Sequence, residues 1–180
     1  MKNLLLGFLL AFLFLQSCND DNVIIPTCEN CNFTCLDVID STVFTNDCLD
    51  NYECTYKVFA QSEIDIDVSQ GFGSGDKNVF QMVTQTEGDP MIADDEYTNS
   101  LVFELDESQN SFSVDGSALS DMNVHFKRSC FCSEVEFKPI AVGCLQGEQQ
   151  TDGSWFVQGN LTVSYSWGDF DVKVDAQFIN

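Results

Sequence analysis

The C-terminal stretch 161–178 alternates apolar and polar side chains with a period of two, a pattern that a β-hairpin accommodates and a helix does not. Leu161, Val163, Tyr165 and Trp167 occupy every second position. After Gly168-Asp169, so do Phe170, Val172, Val174, Ala176 and Phe178. Successive side chains of a strand point to opposite faces, so each run builds one apolar and one polar face. Gly168-Asp169 reads as a two-residue turn in which Gly supplies the positive φ of the first position. That turn pairs Trp167 with Phe170, Tyr165 with Val172, Val163 with Val174 and Leu161 with Ala176, and all eight side chains share one buried face. Asp171, Lys173, Asp175 and Gln177 line the opposite face.

From Thr55 onward the chain repeats this pattern in shorter pieces. Ile64, Ile66 and Val68 alternate with Asp65 and Asp67, which predicts a strand with one buried and one wet face. Further runs occur at Val79–Thr84, Leu101–Leu105, Phe112–Asp115, Val124–Arg128, Val135–Lys138 and Trp155–Val157. Turn clusters separate them, among them Glu107-Ser-Gln-Asn110, Thr151-Asp-Gly-Ser154 and the glycine-rich Gly71–Gly75, read as a flexible interstrand loop. About eight to ten short strands without a helical period predict an all-β fold, an antiparallel sandwich or barrel spanning 55–180.

The N-terminus has a different character. Met1 to Gln16 carry one charge, Lys2, and an apolar run from Leu4 to Leu15. A membrane-spanning helix needs roughly 20 apolar residues, so this run is short for a span and suits an export signal. Leu15-Gln16-Ser17-Cys18 closes the run and resembles the lipobox of bacterial lipoproteins. The resemblance implies a signal peptide at 1–17, with Cys18 acylated as the mature N-terminus and holding the protein to a membrane. Two or more acyl chains suffice for stable anchoring. Asn19-Asp20-Asp21-Asn22 resembles the surface-export signal of lipoproteins in the Bacteroidetes group. That implies an outer-membrane address at the cell surface, with 18–27 as a tether; the periplasmic leaflet is the alternative. The resemblance covers the first 22 or so residues and speaks of address, not of activity.

Removing the leader takes the formal charge from −22 to about −23 and leaves a chain long enough for one domain with a proper core. Such an acidic balance argues against nucleic acid and against anionic lipid surfaces, whose contacts come from Lys and Arg. Nine cysteines lie at 18, 28, 31, 35, 48, 54, 130, 132 and 144. With Cys18 acylated, the remaining eight are an even set in an oxidising compartment and read as four disulfides. Cys28, Cys31, Cys35, Cys48 and Cys54 fall in a loop-rich segment, 28–54; Cys130, Cys132 and Cys144 fall later. Five and three cannot both pair internally, so complete oxidation requires at least one bond that staples the segment to the β domain. Closing a loop of about 100 residues contributes ~4–5 kcal/mol in the chain-entropy model.

Catalytic patterns are sparse. His125 is the single histidine, which excludes sites needing two; flanked by Val124 and Phe126, it faces away from the core if they face inward. No Gly-x-Ser-x-Gly elbow accompanies it for a Ser-His-Asp triad. Cys28-x-x-Cys31 lacks the strand–helix context of a thioredoxin-like redox pair. Gly71-Phe-Gly-Ser-Gly-Asp-Lys77 lacks the Gly-Lys-Ser/Thr ending of a phosphate loop. Asp89, Asp94, Asp95 and Glu96 in the irregular stretch Glu87–Tyr97 are candidate oxygen ligands for Ca²⁺, although the EF-hand spacing is absent. Trp155 and Tyr97 are candidate ligand-binding aromatics, whereas Trp167 and Tyr165 are assigned to the buried hairpin face. The expectation is a non-catalytic surface module that binds or adheres to a glycan or protein. The alternatives are a carboxylate-based hydrolase of extracellular polymers, which needs two acids in one cleft, and a lipocalin-like binder with a hollow interior.

Overall fold

The structure, a computed structural model, describes residues 52–86, 91, 96–130 and 134–180. These residues form ten strands: β1 Tyr52–Ile64, β2 Phe72–Ser74, β3 Lys77–Thr86, β4 Thr98–Asp106, β5 Ser111–Asp115, β6 His125–Ser129, β7 Lys138–Pro139, β8 Val142–Gln149, β9 Trp155–Tyr165 and β10 Gly168–Phe178. The first sheet runs in the order β2-β1-β3-β4-β6-β7 and the second in the order β10-β9-β8-β5. Every pairing between named strands is antiparallel. The edges of the first sheet are its two shortest strands, and Pro139, which lacks an N–H, sits in one of them. At one seam the tail after β10 joins β1: Val58 N–H donates to Ile179 O at 2.8 Å.

Between the sheets lies a filled aromatic core. Phe80 and Phe103 stack at 4.6 Å, and Trp155 meets Phe80 edge-on at 5.1 Å. Phe178 closes on the same ring at 5.7 Å, and all four side chains are fully buried. These rings occupy the interior where the ligand of a hollow barrel would sit. A smaller cluster of Phe72, Val79, Val102 and Phe137 covers part of the outer face of the first sheet. Burial on both faces accounts for the continuous apolar run Leu101-Val102-Phe103 in a central strand.

The C-terminal hairpin forms in a different register from the predicted one. Tyr165 pairs with Gly168, Val163 with Phe170, Leu161 with Val172, and the ladder continues to Trp155 opposite Phe178. The turn is therefore Ser166-Trp167, not Gly168-Asp169. The predicted register would have ended at Gly159 opposite Phe178 and left Trp155 to Gln158 unpaired. The observed one extends the ladder and carries Trp155 into the core. An even shift keeps each side chain on its face, so Leu161, Val163, Val172, Val174 and Ala176 are buried as expected. Trp167 is the casualty: it rides on the turn, 53 % exposed, stacked on Tyr165 at 4.8 Å.

Other expectations change for identifiable reasons. Ile66 and Val68 lie in a turn, both exposed. Asp65 accepts the Asp67 N–H through its carboxylate at 3.1 Å, and its own N–H bonds Gly71 O, so Asx-turn chemistry overrides the alternation. Within Gly71–Gly75, read as loop, Phe72–Ser74 is β2 and pairs with the end of β1. Of Val135–Lys138 only Lys138 is in a strand. β1 begins at Tyr52, which places Cys54 inside the β domain rather than in the segment before it. β8 was hidden by its glycines: a Cβ on Gly143 would strike the Asn160 carbonyl, and one on Gly147 would strike the Phe112 ring. A 3-10 helix, Gly116–Met122, links β5 to β6 and buries Leu119 and Met122.

Candidate functional site

At one end of the sandwich the two sheets part and leave a cleft of about 400 Å³. That is within the size range of small-ligand sites. Its floor comes from inward-facing positions of the first sheet, and register places them in rows. Cys54 pairs with Thr84, Thr84 with Asn99, and Asn99 with Arg128. One row further out, Tyr52 pairs with Thr86, whose N–H donates to Tyr97 O at 3.1 Å. The opposite wall is the start of β10, Phe170 to Lys173.

Aromatic rings dominate the walls. The Tyr52 and Tyr97 rings meet edge-to-face at 6.0 Å, and their hydroxyls are hydrogen-bonded. That bond, with burial second, raises the Tyr52 pKa above its usual 10.0. Phe126 stacks on Phe170 at 5.5 Å across the gap between the sheets. The Arg128 guanidinium lies over two rings, 4.0 Å from the Tyr97 centroid and 5.1 Å from that of Phe170. Each such contact contributes roughly 0.5–1 kcal/mol at a partly exposed site. Arg128 thereby ties the two walls together.

The polar group set into this apolar floor is Asn99, 6 % exposed. Its Nδ2 donates to Thr84 Oγ1 at 3.2 Å, while Oδ1 has no hydrogen-bond partner among the described residues. Asp171 is the one carboxylate among the described lining residues, and it accepts a bond from Thr162 Oγ1 at 2.9 Å. Among the described residues no glycosidase-type pair of acids is assembled in this cleft.

The sequence-predicted site residues are thus split. Tyr97 is in the cleft. Trp155 is corrected: it is 1 % exposed, wedged between Phe80 and Phe112, and is core rather than ligand surface. Asp89, Asp94 and Asp95 of the Ca²⁺ candidate lie outside the described residues, and Glu96 is exposed. No group of three metal-ligating side chains occurs among the described residues. His125 is half-buried on the outer side of β6, its Nδ1 2.9 Å from Asn123 O, while Val124 and Phe126 are buried. Cys18, Cys28, Cys31, Cys35, Cys48 and Cys132 lie outside the described residues. Cys54, Cys130 and Cys144 are within them and do not titrate, each being disulfide-bonded.

Sequence reasoning missed Tyr52, Asn99, Arg128 and Phe170 as a group. Asn99 carried the available signal: extending the Leu101–Leu105 run backward at period two puts an amide at an inward position. No protein-family model matches this chain, and comparison with curated proteins and with solved structures finds no match.

Proposed function

We propose that this chain is an exported, lipid-anchored binding module whose ligand occupies the cleft between β10 and the floor of the first sheet. The observation that carries the reading is the cleft itself: aromatic walls, a half-satisfied buried amide and, among the described residues, a single carboxylate. Such a site suits retention of a ligand rather than acid–base chemistry. The address comes from the lipobox-like Leu15–Cys18 and the acidic Asp20-Asp21, with acylated Cys18 in the outer membrane and the β domain facing outward. The ligand is a surface glycan or protein.

The eight remaining cysteines form structural disulfides in this reading; with Cys54 in β1, four precede the β domain and four belong to it, so parity alone no longer demands a bond between the two. The disulfide-bonded state of Cys54, Cys130 and Cys144 is in keeping with it. Ca²⁺ held by Asp89, Asp94, Asp95 and Glu96 would be an accessory, not the site.

Two measurements test the proposal. Cys18→Ser should move the protein out of the membrane fraction, and intact cells should present the wild-type domain to added protease. Retention of the Cys18→Ser protein in the membrane would sink the anchor. A thermal-shift screen of the mature protein against soluble polysaccharides, host and bacterial surface proteins and Ca²⁺ should return a ligand that raises Tm, because a ligand selective for the folded state stabilises it. A screen in which no glycan or protein shifts Tm counts against the binding reading.

A further inference from the structure

We propose that the cleft is a saccharide subsite and that Asn99 is the residue selecting for a ligand hydroxyl; this rests on the binding-module reading and names its ligand class. Asn99 is more than nine-tenths buried, lines the cleft, and has one end of its amide bonded to Thr84 while the other has no partner among the described residues. Exchanging the assignment of its oxygen and nitrogen leaves the same account, one end used and one end waiting. A hydroxyl donates and accepts, so it completes the amide in either orientation. A carboxylate or an ammonium could do so in only one.

The surroundings narrow the ligand further. Tyr52, Tyr97, Phe126 and Phe170 line the same space, with Phe126 and Phe170 stacked on each other and Arg128 over Tyr97 and Phe170, and such a largely apolar wall suits a molecule with C–H faces and hydroxyl edges. Asp171 and Lys173 line the cleft and Arg128 lies over its Tyr97 and Phe170 rings, so the local charges are mixed, while the chain carries −22 overall, which disfavours polyanions. Main-chain recognition is closed off at the floor. Thr84 and Asn99 belong to strands paired on both sides at these positions, so the floor itself offers an extended peptide no strand edge; the facing wall, β10, is an edge strand of its sheet, and the peptide arm of the test below addresses it. A neutral saccharide, read by side chains, is the class that fits.

Isothermal titration calorimetry on the acylated full-length protein in detergent tests this, using neutral oligomers of glucan, xylan, mannan and chitin, uronic-acid and sulfated glycans, and a set of extended peptides. At least one neutral oligomer should bind. Asn99→Leu should weaken that binding about tenfold, the scale of one lost hydrogen bond, with Tm held. Tyr97→Leu, which strips a wall and leaves the amide, should weaken it independently, and it carries the test if Asn99→Leu fails to fold. Binding unaffected by both variants, or confined to anionic glycans, overturns the assignment. Peptide binding in the cleft without glycan binding also overturns it, yet leaves the protein a binding module. No binding by glycan or peptide, with no partner from the thermal-shift screen, defeats both readings.

Discussion

Strand β4 carries two buried polar residues, and they are treated in opposite ways. Glu104, on the outer face of the first sheet, is 6 % exposed, accepts Lys77 Nζ at 2.6 Å and accepts the Ile64 N–H at 3.0 Å. Asn99, on the inner face at the cleft, is equally buried and has one of its two amide ends bonded. A charge withdrawn from water is tolerable only when paired and hydrogen-bonded, and Glu104 is both. It fastens the end of β1 and the start of β3 to the middle of the sheet. Asn99 fastens little, and an amide left half-made in a folded interior is a cost that a ligand can remove. Unequal satisfaction at equal burial, at a position that lines the cleft, is what sets Asn99 apart from Glu104 in the proposal above.

The largest expected effect lies between them on the same strand. Phe103 is fully buried and stacked on Phe80, so Phe103→Ala should cost about 3–5 kcal/mol by denaturant unfolding. It should impair both polar sites at once. A loss well below that range would mean the aromatic core is less tightly packed than the ring geometry indicates. Next comes Lys77→Met, which removes the cation from Glu104 but keeps the aliphatic stem. Lys77 is partly exposed, so water can replace some of the pairing, and the expected cost is about 1–3 kcal/mol. Adding Glu104→Leu should recover part of it in a double-mutant cycle. A single-variant cost near zero would place Glu104 in the same class as Asn99.

The pH dependence sharpens the same contrast. The Glu104 hydrogen bond raises the Lys77 pKa above its usual 10.5. A group with a raised folded value contributes fully below its unfolded pKa and loses that contribution as pH climbs through the folded one. Stability from Lys77 is therefore intact below 10.5 and fades above it. Tyr52, raised from 10.0 by its bond to Tyr97, behaves likewise from a slightly lower pH. Unfolding free energy measured from pH 9 to 12 should fall in wild type, and Lys77→Met should remove the Lys77 part of that fall. An unchanged slope in the variant would contradict the assignment.

What the sequence made legible follows from these physical terms. Period-two alternation in β10 placed Val172, Val174 and Ala176 on the core side, because facing depends on parity alone. It could not fix the hairpin register, because a shift by an even number of residues conserves parity while moving the turn from Gly168-Asp169 to Ser166-Trp167. Ile66 and Val68 alternated and still turned, since the Asp65 carboxylate offered a local bond that periodicity does not count. The cleft was the least legible part. Tyr52, Asn99 and Phe170, which line it, and Arg128, which lies over two of its rings, come from four separate stretches, and only strand order brings them together. Tyr97 was found because aromatics announce themselves; Trp155 misled for the same reason.

The smallest expected effect is the one that decides the comparison. Asn99→Leu removes one hydrogen bond to Thr84 and, with it, one buried amide end that has no partner. The loss of a made bond, about 1 kcal/mol, is opposed by the relief of an unmade one of similar size and by added apolar burial. Thr84 is half-buried, so water can reach its hydroxyl once the amide is gone. Denaturant unfolding of Asn99→Leu should therefore stay within about 1 kcal/mol of wild type, well short of Phe103→Ala. A drop matching the expected cost of Lys77→Met would show that Asn99 is structural after all, and the contrast along β4 would collapse.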